Sequence, residues 1–140
     1  MNVMIDTNVI LDDILDRVPG LDTAREINRL VIDGQIDACI TANCVTDIFY
    51  IVTRNRDKYI ARRVTRNILK TFQIISVDGD DCETAIDLPM SDFEDALVLV
   101  CAEKAKVDYI ITNDKDFLSE DCSNVILISP ADFLLRFQNE

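Results

Sequence analysis

The sequence predicts an α/β fold in which helices cover both faces of a parallel β-sheet. Short apolar segments alternate with helical patterns along the whole chain, an order that is typical of parallel sheets with crossover helices. Of the 140 residues, 49% are hydrophobic, and only three Gly and three Pro interrupt the periodic segments. Neither a repeat nor a linker-like segment divides the chain, so we expect one domain over residues 1–140.

Five segments have the composition of strands, and six have helical periodicity. The predicted strands are residues 3–5, 37–41, 73–77, 108–112 and 125–129. The predicted helices are residues 21–33, 44–54, 58–72, about 81–88, 91–106 and a last one from 130. Residues 78–80 contain Asp-Gly-Asp, which predicts a turn. Ser91 and Glu94 have the spacing of a capping box, which predicts that the long apolar helix starts at Ser91.

Composition excludes several kinds of enzyme site. Histidine is absent, which removes Ser-His and Cys-His catalysis and the common zinc enzyme sites. The five cysteines are odd in number and include no C-x-x-C pair, which argues against a zinc cage or a disulfide framework. If the protein is a hydrolase, carboxylates and a metal-activated water must carry the chemistry.

The chain shows no pattern of a membrane or secreted protein. No apolar run approaches the ~20 residues that cross a bilayer. The N-terminus lacks the basic and apolar segments of a signal peptide. We therefore expect a cytoplasmic location and no membrane partner.

Charge is distributed unevenly. A net charge of −12 argues against a generally basic, nucleic-acid-binding surface. However, seven of the 14 basic residues lie between positions 54 and 70, where only Asp57 opposes them. This segment is either a solvated helix face or a contact surface for nucleic acid. The candidate contacts are Arg54, Arg56, Arg62, Arg63 and Arg66.

Three aspartates lie beside apolar segments. Asp6 follows residues 3–5, Asp95 precedes the apolar run 96–102, and Asp114 follows the fourth predicted strand. A carboxylate beside buried backbone is costly to desolvate without a partner, and 14 basic residues are too few for 26 acidic ones. A hard divalent cation with oxygen ligands is the natural partner. Because ligands collect at the carboxyl ends of parallel strands, we expect these three acids to converge.

Each acid also has a structural interpretation. Asp6 has the position of an N-cap for a helix after the first strand. Asp92 and Asp95, three residues apart, share a helix face, and Asp92 suits the first turn of a helix through the helix dipole. Asp114 and Asp116 suit a turn after a strand.

Asp47 is a fourth candidate on the helix after the second strand, where a solvated position is the alternative.

Three short motifs then suggest a family. Asp6-Thr7-Asn8 follows the first strand, Asp-Phe-Glu-Asp-Ala-Leu at 92–97 opens the buried helix, and Thr-Asn-Asp-Lys-Asp-Phe at 112–117 follows the fourth strand. In order and spacing they resemble a PIN domain over nearly the whole chain. The resemblance implies a Rossmann-like, three-layer α/β/α sandwich with a parallel sheet of about five strands. It also implies Mg²⁺- or Mn²⁺-dependent cleavage of single-stranded RNA, as in toxins of the VapC type.

The resemblance also implies roles for individual residues. Asp6, Asp95 and Asp114 match the acidic metal site, and Asp92 and Asp116 would be neighbouring ligands. Asn8 and Thr112 would support the ligands. A catalytic glutamate is typical in the helix after the second strand, whereas this chain has the shorter Asp47 there. Possible partners are an antitoxin protein and a second copy of the chain.

Two other functions remain open from the sequence. The first is a PIN-like binding or scaffold protein without catalysis, which Asp47 and the net charge of −12 favour. The second is a phosphoacceptor signalling domain with Asp78 as the acceptor and Lys115 as the late lysine. Lys115 does not directly follow a predicted strand, which disfavours this class.

Overall fold

The structure is a computed structural model that describes residues 1–121 and 124–140, so Cys122 lies outside the described residues. One sheet contains five parallel strands in the order β3-β2-β1-β4-β5. The strands are Asn2–Ile5 (β1), Asp37–Thr41 (β2), Gln73–Ile75 (β3), Tyr109–Ile111 (β4) and Ile126–Ile128 (β5). The chain winds outward in one direction from β1 to β3 and in the other through β4 and β5, so β1 and β4 flank the point where the strand order reverses.

The described residues form eight helices. They are Thr7–Ile14 (α1), Leu21–Ile32 (α2), Ala42–Asn55 (α3), Lys58–Thr71 (α4), Gly79–Ile86 (α5), Phe93–Ala105 (α6), Lys115–Leu118 (α7) and Pro130–Gln138 (α8). No helix among these residues is long and apolar enough to cross a membrane.

The two larger hydrophobic clusters of the core lie on opposite faces of the sheet, and a small third one joins α5 to α6. Side chains alternate between faces along a strand, so Val3 and Ile5 of β1 lie in one cluster while Met4 lies in the other. The first cluster includes buried residues of α1, α2, α3, α4 and α8. The second includes Val98 and Cys101 of α6. This arrangement confirms the predicted three-layer α/β/α sandwich.

Two helix starts differ from the sequence-based expectation because aspartate side chains cap the helices, and one strand is shorter than expected. Helix α6 begins after Asp92, whose carboxylate accepts a hydrogen bond from the Asp95 amide, and not at Ser91. Residues 78–80 are not a free turn, because Asp78 and Asp81 form a reciprocal capping box at the start of α5. Strand β3 ends at Ile75, two residues before the predicted end.

Candidate active site

A cavity of about 410 Å³ opens at the carboxyl ends of β1, β2 and β4. Six carboxylates from α3, α6 and the segments that follow β1 and β4 line it. They are Asp6, Asp47, Asp92, Glu94, Asp95 and Asp114. Acids from distant parts of the sequence therefore converge, as the parallel sheet predicted. A larger cavity of about 780 Å³ at the opposite ends of the strands contains none of these residues.

Asp6 is fixed at the end of the central strand. Its amide donates to the Ile111 carbonyl at 3.0 Å, which extends the pairing of β1 with β4. One carboxylate oxygen accepts from the Thr7 amide at 2.9 Å, and the other accepts from the Thr112 hydroxyl at 2.7 Å. Asp6 thus both caps the N-terminus of α1 and lines the cavity.

Thr112 connects two of the acids. Its side chain is fully buried, and its Oγ1 both donates to Asp6 and accepts from the Asp114 amide at 3.1 Å. Asp114 in turn accepts from the amides of Asp116 and Phe117 and caps α7. One hydroxyl therefore fixes the spacing between the ends of β1 and β4.

The cavity raises the pKa values of Asp6, Asp47, Glu94 and Asp95. Burial raises the pKa of Asp6, the Thr112 and Thr7 hydrogen bonds lower it, and the charges of Asp114 and Asp92 raise it again. Burial, followed by the charges of Asp92, Asp6, Asp114 and Glu94, raises the pKa of Asp95 to about 7. The causes are desolvation and like charge, the combination that a bound cation would relieve.

No cationic side chain neutralises this group within the described residues. The ion pairs there involve Arg25, Arg29, Arg56 and Lys104, and their partners all lie outside the cavity. The cavity therefore concentrates negative charge that none of these ion pairs compensates.

Asp47 of α3 and Glu94 of α6 add two carboxylates to the cavity. Burial raises the pKa of Asp47, while burial and then the Asp47, Asp92 and Asp6 charges raise the pKa of Glu94. Sequence reasoning used Glu94 only as a partner for Ser91 in a cap and missed it as a site residue. Its position two residues after Asp92 in the same acidic motif was the available signal.

Asn43 is a second residue that sequence reasoning missed. It lies one helical turn before Asp47 on α3 and lines the cavity. Its side-chain oxygen is buried without a hydrogen-bond partner in the described structure. Because buried oxygens are normally paired, this one is available to a ligand. No sequence signal pointed to Asn43.

The predicted residues do not all reach the cavity. Asn8 lines it, whereas Asp116 is exposed on α7 outside the lining, and its backbone amide is what supports Asp114. Arg54 is not a lining residue, but it lies three residues after Ile51, which lines the cavity from α3. Arg62, Arg63 and Arg66 are exposed on α4, away from the cavity lining.

The donor atoms fit a hard divalent cation by their chemistry. Carboxylate and amide oxygens are the ligands that Mg²⁺ and Mn²⁺ prefer. Within residues 1–121 and 124–140, no three acidic or cysteine side chains stand close enough together to form a finished metal shell.

Comparison with known proteins decides the family. A model of the PIN domain matches residues 2–116. The chain belongs to the PIN domain family. It is 27% identical over 124 residues to Ribonuclease VapC1 of Aquifex aeolicus (strain VF5), a match that covers 85% of each chain.

Solved PIN structures have the same fold. VapC20 of Mycobacterium tuberculosis, described as a toxin that cleaves the sarcin-ricin loop, superposes with a TM-score of 0.69 at 16% identity, covering 88% of this chain and 98% of that one. VapBC2 of Rickettsia felis, solved with a promoter DNA fragment, gives a TM-score of 0.67 at 16% identity over 92% of this chain and 98% of that chain. At these identities the likeness concerns the fold.

Proposed function

We propose that this PIN domain is a metal-dependent endoribonuclease that cleaves single-stranded RNA, in the manner of a VapC toxin. The observation that carries the proposal is the convergence of six carboxylates on one cavity without a cationic partner among the described residues. The 27% identity to a protein named Ribonuclease VapC1 supports it.

Asp6, Asp95 and Asp114 would hold one or two Mg²⁺ or Mn²⁺ ions, with Asp92, Asp47 and Glu94 around them. A bound ion of this kind lowers the pKa of water and shields the charge of a phosphodiester. Thr112 holds the Asp6 carboxylate in one orientation at 2.7 Å. Burial and the neighbouring carboxylates raise the pKa of Asp95 to about 7, so that a bound cation would replace its proton near physiological pH.

The basic hairpin, defined as Arg54–Lys70 with α4 and the end of α3, would bind the RNA backbone. Arg62, Arg63 and Arg66 are exposed on one face of α4 and have no ion-pair partner in the described part of the chain. Asp47, Ile51 and Arg54 lie at helical spacing and so share one face of α3. Asp47 and Ile51 line the cavity, and Arg54 continues the same face beyond it. Arg56 is partly engaged by Asp16 at 4.0 Å.

An antitoxin protein is the partner we propose. Complexes of VapB and VapC from Rickettsia felis and Salmonella typhimurium share the fold, with TM-scores of 0.67 for both. An antitoxin that adds a cation to the acidic cavity would offset its charge and inhibit the enzyme. Homodimerisation, a cytoplasmic location and a single domain over residues 1–140 stay predictions.

A scaffold protein without catalysis is the second candidate. The shorter Asp47 and the net charge of −12 favour it. The two candidates differ in whether the acids act chemically.

RNA cleavage by matched variants separates the candidates. Wild-type protein, Asp6→Asn and Asp22→Asn are incubated with single-stranded RNA and Mn²⁺, Asp22 being an exposed acid on α2 outside the cavity. We expect cleavage by wild type and Asp22→Asn and none by a folded Asp6→Asn. Equal cleavage by all three variants, or by none, contradicts the proposal.

A further inference from the structure

Asp12 and Asn113 join α1 to the loop that carries Asp114. Asp12 Oδ2 accepts a hydrogen bond from Asn113 Nδ2 at 2.6 Å, although the two residues are 101 positions apart. Neither residue lines the acidic cavity. Asn113 lies between Thr112, which holds Asp6, and Asp114 itself. The contact therefore fixes the loop at the point where two cavity acids are positioned.

Asn8 adds a second, longer contact from the same helix. Its side-chain oxygen accepts from the Asn113 backbone amide at 3.4 Å. Asn8 and Asp12 are four residues apart, so they share one face of α1. This face of α1 thus holds Asn113 through both its side chain and its backbone.

Gly20 leaves the space that Asp12 occupies. A Cβ at position 20 would lie 2.9 Å from Asp12 Cγ and closer still to Oδ2. The Gly20 φ angle is −77°, a value open to any residue, so backbone conformation does not require glycine here. The absence of a side chain at position 20 leaves space for the Asp12 carboxylate. Burial raises the pKa of Asp12 and the Arg17 charge lowers it, as expected for a partly buried carboxylate.

We propose that Asp12 is a positioning residue that holds the Asp114 loop through Asn113, and that Gly20 keeps open the space for its carboxylate, because a side chain at position 20 would displace that carboxylate from Asn113. The consequence for metal binding and RNA cleavage rests on the proposed function. The contact between Asp12 and Asn113, and its dependence on Gly20, do not rest on that function.

Nuclear magnetic resonance of the Asn113 side-chain amide tests the contact in the intact protein without any metal. Asp12→Asn keeps an oxygen that can accept from Asn113, whereas Asp12→Ala and Gly20→Ala remove or displace it. Gly79→Ala is the matched control, because nothing lies within 4 Å of a Cβ there. We expect the Asn113 amide signals to shift and exchange faster in Asp12→Ala and Gly20→Ala but to stay near their wild-type positions in Asp12→Asn and Gly79→Ala.

Combining Asp12→Ala with Gly20→Ala tests the proposed cause. Once the carboxylate is gone, the added methyl group has space, so the double variant should resemble Asp12→Ala in Asn113 exchange and thermal stability. Mn²⁺ affinity should fall about 10- to 100-fold in Asp12→Ala and be restored in Asp12→Asn. Unchanged Asn113 signals in Asp12→Ala, or additive losses in the double variant, would overturn the proposal. If the Asn113 amide signals change as expected but the wild-type protein binds no Mn²⁺, the proposed function alone would be overturned.

Discussion

The Thr112 hydroxyl donates to Asp6 Oδ2 at 2.7 Å from a fully buried position. The same oxygen accepts from the Asp114 amide at 3.1 Å, so it spans the ends of the two central strands. The hydrogen bond lowers the Asp6 pKa against the effect of burial. Thr112 therefore helps to keep Asp6 ionised and in place for a cation.

Thr112→Val should weaken metal binding while preserving the fold. Valine has nearly the same shape but no hydroxyl, so Asp6 and the Asp114 amide each lose a partner. We expect Mn²⁺ affinity to fall about 10- to 100-fold by calorimetry. Thr112→Ser keeps the hydroxyl and should bind Mn²⁺ nearly as wild type does. Equal affinities for the valine and serine variants would contradict this role of the hydroxyl.

The stability of the metal-free protein should depend on Asp95 through pH. Its pKa is 3.8 ordinarily and about 7 in the folded protein, so the folded state binds this proton more tightly than the unfolded chain does. The stabilisation that comes from protonated Asp95 is complete below about pH 4 and is lost as the pH rises through about 7. We expect wild type to lose about 2 kcal/mol relative to Asp95→Asn between pH 5 and pH 8, after allowance for solvent screening.

Urea unfolding at both pH values, in the presence of a chelator, measures this difference. Asp22→Asn on the surface of α2 controls for the general effect of removing one charge. A parallel pH dependence in wild type and Asp95→Asn would exclude Asp95 as the source.

Glu94→Gln should reduce Mn²⁺ affinity and lower the pKa of Asp95. Glu94 lines the cavity, and its charge is one of the causes that raise the Asp95 pKa. Glu103→Gln makes the same change at an exposed position near the other end of α6. Calorimetric titration of both variants should show several-fold weaker binding in Glu94→Gln only. Similar losses in the two variants would indicate a general charge effect.

The basic hairpin should contribute a salt-dependent part of RNA affinity. Arg62 and Arg66 are exposed, lie four residues apart on α4 and have no ion-pair partner in the described structure. Changing both to Gln should reduce the slope of log affinity against log salt by about 1.4 if each contacts one phosphate. Binding is measured with Asp6→Asn as the background, so that the RNA stays intact.

Arg25 and Arg29 provide the matched control for this change. They too are exposed and lie four residues apart on one helix, α2, but their side chains pair with acids. Their replacement by Gln should leave the salt slope unaltered. An equal reduction of the salt slope by both pairs of substitutions would show that the basic hairpin is not a specific RNA-binding surface.

The sequence predicted the sheet and the convergence of the acids well. Alternation of Val3, Met4 and Ile5 between two faces follows from strand geometry, and Asp6 and Asp114 meet because parallel strands end at one edge. These features depend on patterns that repeat along the chain. They were therefore visible without coordinates.

Short helices and side-chain direction were harder to predict. Helix α1 carries Asp12 and Asp13 among apolar residues, and α7 spans one turn, so neither gave a clear helical period. Asp116 lies on α7 outside the cavity lining, because α7 starts after Asp114, a boundary that is set by the cap and not by hydrophobicity.

Calorimetric titration of Mn²⁺ into wild type and into a variant with Asp6→Asn and Asp95→Asn tests the central claim most directly. The six carboxylates of the cavity predict binding to wild type and none to the double variant, with both proteins folded. Binding that is equal in the two proteins, or absent from wild type at millimolar Mn²⁺, would contradict a carboxylate metal site and favour the scaffold function.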